Sequence, residues 1–149
     1  IQFIWQTGKY YYPQVTEAVR AAGKLPNLYV TDFIKDMAAA YAASDLVISR
    51  AGAGSISEFC LLHKPVVLVP SPNVAEDHQT KNALALVDKQ AAIYVKDSEA
   101  EAKLMDVALN TVADDRKLKE LSENIAKLAL PDSARIIAQE VIKLAESGN

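Results

Sequence analysis

Apolar residues fall along this chain in short runs separated by longer stretches of mixed character. Five runs read as strands: Ile1–Trp5, Asn27–Thr31, Leu46–Ser49, Val66–Val69 and Ala92–Val95. Leu46–Ser49 and Val66–Val69 are β-branched apolar runs of the kind that a parallel sheet buries on both faces. Between the runs, apolar positions recur at helical spacing. Tyr10-Tyr11-Tyr12-Pro13 opens a helix to about Ala22, with Val15, Ala18, Val19 and Ala22 as its apolar stripe. Pro13 is expected in the first turn, where its missing N–H does no harm, and Gly23 and Pro26 end the helix. Asp36 is expected to cap a helix through about Ala43 that buries Met37, Ala38, Tyr41 and Ala42. A further helix begins near Ser55, and another covers Asp77–Asp88. Glu99–Asn110, Asp114–Leu130 and Ser133–Glu146 complete the set. Leu118, Leu121, Ile125 and Leu128 stripe the second of these three, and Pro131 separates it from the last.

Strands that alternate with helices at this spacing require right-handed crossovers. The expected architecture is α/β, a Rossmann-like parallel sheet with helices on both faces. A doubly wound sheet usually carries its first strand at the centre. If Ile1 begins what is natively the second unit, that central strand is missing here. The chain opens on Ile1, already inside a strand-like run, and is expected to be a single domain, residues 1–149, truncated at its amino end.

Composition narrows the classes. A chain of 149 residues is ordinarily one domain with room for a core, and 50% hydrophobic with 23% charged residues suits a globular protein. A net charge of −3 with scattered lysines argues against a nucleic-acid surface. No apolar run approaches the length that spans a bilayer, and the cytoplasm is the default compartment. The single cysteine, Cys60, excludes an internal disulfide and a cysteine-cluster metal site. Its neighbours Phe59, Leu61 and Leu62 mark it as a buried structural thiol.

Candidate chemistry concentrates in Leu46–Ala83. Arg50-Ala51-Gly52-Ala53-Gly54 leads from one buried-type strand into a helix, and the polar loop Pro70–Asp77 leads from the next into His78-Gln79. Both loops leave the carboxyl ends of strands, the edge where open α/β sheets bind ligands. Free N–H groups and the dipole at a helix N-terminus favour phosphate, so the stretch reads as a nucleotide-diphosphate site. Each residue also has a plainer role. The glycine pair can serve only close backbone packing, and Ser57 stands where a dinucleotide fingerprint needs its third glycine. Ser55-Ile56-Ser57-Glu58 has the form of a capping box, yet a carboxylate one turn beyond a phosphate site can also accept two ribose hydroxyls. Asp77 can be only an N-cap, His78 only a solvated group, and Arg50 a surface cation, a phosphate ligand or a structural tie. Tyr10, Tyr11 and Tyr12 suit an interface or partial core better than a ligand ring.

These residues also carry a family likeness. Val30-Thr31-Asp32-Phe33-Ile34-Lys35-Asp36-Met37 and Tyr41-Ala42-Ala43-Ser44-Asp45-Leu46-Val47-Ile48-Ser49-Arg50 resemble the MurG family of peptidoglycan glycosyltransferases. The match runs on through Ala51-Gly52-Ala53-Gly54-Ser55-Ile56-Ser57-Glu58, Asp77-His78-Gln79 and Asn82-Ala83, and Gln6-Thr7-Gly8-Lys9 is similar to a strand-end turn of that family. The resemblance implies the carboxyl-terminal half of a GT-B fold, lacking its first βα unit. It implies a domain that binds UDP-GlcNAc for inverting transfer of GlcNAc to lipid I, giving lipid II. Glu58 would then hold the ribose hydroxyls, and the backbone of Ile34 would read the uracil edge. Ala53, Gly54 and Ser55 would lie at the diphosphate with Arg50 beside them, and His78 and Gln79 would face the sugar. No metal or cofactor and no nucleic acid is implied. Lipid I and the membrane surface would be met by an absent amino-terminal domain at the cytoplasmic face of the bacterial inner membrane. That domain would also hold the general base, so no catalytic residue is assigned here and the chain alone is expected to be inactive. An Alg13-like donor subunit and a non-catalytic nucleotide-binding module are the alternatives.

Overall fold

The computed structural model describes residues 1–72 and 77–147. The expected loop residues Asn73, Val74, Ala75 and Glu76 lie outside the described residues. The chain divides into two compact units, Ile1–Ser44 and Asp45–Asn149.

The first unit holds β1 (Phe3–Gln6), α1 (Gly8–Ala21), β2 (Leu28–Thr31) and α2 (Met37–Ala43). β1 and β2 pair in parallel with Phe3 opposite Leu28 and Gln6 opposite Thr31. No residue of this unit is buried. A two-stranded ladder offers too little surface to enclose a core, so the stripes expected on its helices are at most half covered. Val15 and Val19 of α1 and Met37 and Tyr41 of α2 are half-buried, whereas Ala18, Ala22, Ala38 and Ala42 are exposed. α1 also starts two residues earlier than its tyrosines suggest. Gly8, at φ 75°, makes the turn out of β1, and Pro13 becomes the sixth helical residue, beyond the first turn. Its ring therefore removes a helical hydrogen bond. Asp36 caps α2 as expected, its side chain accepting from the Ala39 amide at 2.9 Å.

The second unit runs β3 (Val47–Ser49), α3 (Ala53–Leu61), β4 (Val66–Leu68), α4 (His78–Val87), β5 (Ile93–Tyr94), α5 (Asp97–Val112), α6 (Asp115–Ala126) and α7 (Ser133–Ser147). Its sheet is parallel in the order β3-β4-β5. The one sheet expected from the alternation is thus two parallel sheets, one in each unit. β4 is buried along its length because it has a partner on each side. β3, expected to be buried like β4, is only partly covered, because among the described residues it pairs with β4 alone.

The core lies around β4. Val67, Val69 and Val95 pack against Ala100, Leu104 and Val107, which line one face of α5 at helical spacing. Phe59 and Cys60 of α3 and Leu121 and Ile125 of α6 are buried with them. Burial pushes the Cys60 thiol above its ordinary titration range, as its apolar neighbours led one to expect. Leu118 of α6 is half-buried, as is Leu128, which lies beyond the helix's end at Ala126 rather than on its expected stripe.

Candidate functional site

Three segments of the second unit meet at the carboxyl ends of β3 and β4. They are the glycine turn 50–54, the exit from β4 at Val69–Ser71, and the start of α4. Hydrogen bonds close them into a ring. Arg50 Nη1 donates to the carbonyls of Val69 at 3.1 Å and Pro70 at 3.3 Å. The Ser71 amide donates to Gln79 Oε1 at 2.9 Å. Asn82 Nδ2 donates to the Ala51 carbonyl at 3.2 Å. Arg50 further pairs with Asp97 at the start of α5. An ion pair this exposed is worth only ~0–1 kcal/mol, so its effect is to orient the guanidinium. Of the three roles open to Arg50, these contacts favour the structural tie.

α3 begins at Ala53 with Gly52 as its N-cap, two residues before the expected start near Ser55. The first helical bond runs from the Ile56 amide to the Gly52 carbonyl at 3.0 Å. The amides of Ala53, Gly54 and Ser55 therefore lie in the first turn, where a helix offers its N–H groups outward. Glycine has no side chain with which to cap them. The earlier start also removes the capping box. Ser55 is the third helical residue and Glu58 the sixth, too far along to satisfy the N-cap amide. Glu58 is exposed one turn above those amides.

The packing role for the glycine pair also fails. Outside its chain neighbours and the local helix backbone, a Cβ built on Gly52 or Gly54 would meet no described atom within 4 Å, and neither residue has the positive φ that calls for glycine. Nothing in the described fold requires glycine at either position. Its consequence is open space beside the first turn of α3, into which a ligand can bring its oxygens to the backbone.

Asp77 occupies the N-cap of α4 without capping it, in the left-handed region at φ 54°. His78, the first residue of α4, is exposed, and Gln79 is half-buried. Ile34 belongs to the first unit, where its amide donates to Gln6 Oε1 at 2.8 Å. That contact gives the Gln6-Thr7 turn a task, holding the exit of β2, and leaves the Ile34 carbonyl as the group it can offer. The tyrosines are not core: Tyr10 is 86% and Tyr11 57% exposed, the two rings meeting edge to face. Of the sequence-assigned residues of the second unit, Arg50, Ala53, Gly54, Ser55, His78 and Gln79 thus sit on the loops and first turns at the carboxyl ends of β3 and β4, and Glu58 lies one turn further along α3. Asn82 was legible only as part of a motif, since a contact to a backbone carbonyl leaves no sequence signal. Among the described residues, no group of three or more His, Cys, Asp or Glu is placed to hold a metal ion.

The profile of the glycosyltransferase family 28 C-terminal domain matches residues 1–137. The UDP-N-acetylglucosamine–N-acetylmuramyl-(pentapeptide) pyrophosphoryl-undecaprenol N-acetylglucosamine transferase of Bacteroides thetaiotaomicron is 98% identical over 149 residues, which are 100% of this chain and 40% of that protein. The protein of the same name from Bacteroides fragilis is 82% identical over 146 residues, 98% of this chain and 38% of its own length. The crystal structure of Acinetobacter baumannii MurG superposes with a TM-score of 0.82 at 30% identity, covering 96% of this chain and 41% of that one. The chain therefore spans about two fifths of the relatives it matches.

Proposed function

This chain belongs to the glycosyltransferase family 28 C-terminal domain family, and from that premise we propose that it is the donor-binding domain of a UDP-GlcNAc-dependent hexosyltransferase. The longer protein transfers GlcNAc with inversion to lipid I, giving lipid II for peptidoglycan. The observation that carries this reading is the open space beside Gly52 and Gly54 at the outward-facing amides of α3. A departing UDP develops negative charge on its diphosphate, and amides fixed in a helix terminus stabilise such charge without reorganising. Ala53, Gly54 and Ser55 take that task. Glu58, one turn along, accepts the ribose hydroxyls; for the backbone of Ile34, in the other unit, the family likeness implies the uracil edge. His78 and Gln79 address the sugar. Arg50 serves the site by holding the β4 exit rather than by touching phosphate. The acceptor and the general base belong to parts of the protein outside this chain, as does its peripheral seat on the cytoplasmic face of the inner membrane. Among the described residues, no helix is long and apolar enough to cross a membrane.

Glu58 gives the most direct test. A hydrogen bond to a charged group is worth ~1.5–3 kcal/mol, so Glu58→Gln in the full-length transferase should weaken UDP-GlcNAc by roughly one to two decades. The same variant should lose most of the preference for UDP over its 2′-deoxy analogue. Equal losses for both nucleotides, or a lowered melting temperature with affinity intact, would overturn the ribose assignment.

A further inference from the structure

We propose that Asn82 is a positioning residue for the donor, setting the glycine turn so that the amides of α3 face the diphosphate. The proposal rests on the reading above that α3 receives the diphosphate. Asn82 is the fifth residue of α4, half-buried, and its Nδ2 donates to the Ala51 carbonyl at 3.2 Å. A carbonyl is an acceptor only, so the atom facing it must be the amide nitrogen. Ala51 is wholly buried between the end of β3 and the N-cap of α3. The peptide between Ala51 and Gly52 is trans, as are all peptide bonds among the described residues. In a planar trans unit the C=O and the next N–H point in opposite directions. Holding the Ala51 carbonyl toward α4 therefore turns the Gly52 N–H away from α4. It also fixes the plane from which α3 sets out.

Gly52 and Gly54 meet no neighbour at the Cβ position, so side-chain packing there does not hold this peptide. The hydrogen bond from α4 supplies that restraint. The other two links of the ring act on the β4 exit rather than on the glycine turn. Arg50 reaches the carbonyls of Val69 and Pro70, and Gln79 receives the Ser71 amide. Asn82 thus connects α4 to the backbone of the phosphate turn.

The test compares uridine with UDP as ligands of the full-length transferase, by calorimetry or ligand-observed magnetic resonance. Wild type should bind UDP far more tightly than uridine; if it does not, the diphosphate reading itself fails. Given that preference, Asn82→Ala should weaken UDP about tenfold and uridine less than twofold. Asn82→Asp keeps the size but sets a carboxylate against the Ala51 carbonyl, and should weaken UDP at least as much, again sparing uridine. If the alanine variant does not fold, the aspartate variant carries the same comparison. A retained UDP-to-uridine ratio in the folded variants, whether through equal losses or no loss, would overturn the positioning role. It would leave the diphosphate site standing.

Discussion

At the scale of single residues, the structure changes what Gln79 can do. A free carboxamide both donates and accepts, which suits a pair of adjacent sugar hydroxyls. Here the Ser71 amide donates to Gln79 Oε1 at 2.9 Å. A backbone N–H can only donate, so this contact assigns Oε1 as the acceptor and leaves Nε2 as the donor. A neutral hydrogen bond contributes ~1 kcal/mol, so Gln79→Ala in the full-length transferase should raise the KM for UDP-GlcNAc about five- to tenfold. UDP inhibition should change less, and discrimination against UDP-GalNAc should shrink, because an unpaired polar group no longer penalises the epimer. Gln79→Glu keeps the acceptor for Ser71 but removes the donor, and is expected to behave like the alanine variant toward the sugar. Epimer discrimination that stays at the wild-type ratio in both variants would take Gln79 out of the sugar site.

At the scale of elements, α6 fastens the ends of two helices that flank the site. α3 and α4 each end in a non-glycine residue in the left-handed region, His63 at φ 54° and Gln90 at φ 55°. Returning hydrogen bonds close both ends. The Lys64 amide donates to the Phe59 carbonyl at 3.0 Å, and the Ala91 amide to the Leu86 carbonyl at 2.9 Å. α6 then reaches each turn from one side of its buried Leu121–Ile125 stripe. Ser122 donates to the His63 carbonyl at 2.8 Å, and Asn124 to the Gln90 carbonyl at 3.2 Å. The left-handed conformation costs a side-chain-bearing residue ~1–2 kcal/mol, and the extra freedom of glycine when unfolded returns part of that. Gln90→Gly and His63→Gly should each stabilise the domain by about 0.5–1 kcal/mol, with both α6 contacts kept because they are made to backbone. Denaturant melts of the full-length protein should show a higher midpoint at unchanged slope. Gln90→Val should shift it the other way. A lower midpoint for both glycine variants would mean that the side chains of His63 and Gln90 carry the stability instead.

At the scale of the molecule, the two units differ in kind. Among the described residues, the second holds every buried one, while the first has none. Ile1, Ile4, Trp5, Tyr29 and Phe33 are all exposed in the first unit. β1 and β3, among the described residues, each pair on one side only. An open strand edge beside apolar side chains seeks another strand. The chain spans 40% of the length of the relative it matches at 98% identity, and the rest of a longer protein can cover such edges. The chain by itself should then bind UDP-GlcNAc with Kd in the millimolar range or weaker, roughly −4 kcal/mol, and should transfer no sugar. Extending it at the amino end through one further strand and helix should restore monomeric behaviour and measurable UDP binding. Only the complete transferase should make product. Calorimetry and a radiolabelled-sugar assay on the three proteins decide this. Transfer by the 149-residue chain would mean that its site is already complete.

Among the described residues, each strand and helix was legible in the sequence to within a few residues, because β-branched runs and helical periodicity are local signals. The buried thiol at Cys60 and the Asp36 cap were legible for the same reason: adjacent residues decide them. The motif residues of the second unit could be placed at one edge of a sheet, since strand–loop–helix order determines which end of a strand a loop leaves. What the sequence could not settle was each choice between two local roles. Glu58 reads first as a cap and only then as a ligand until the start of α3 at Ala53 places it sixth in the helix. Arg50 reads as surface or site until the carbonyls of Val69 and Pro70 come within reach of it. Gln79 and Asn82 gained their orientations from Ser71 and Ala51, each across a turn of the fold. A hydrogen bond to a distant backbone group depends on where that group lies in space, and side-chain identity at either end does not encode it. Local propensity therefore determined the elements, and tertiary contact alone decided which atoms of the site residues remain to face a ligand.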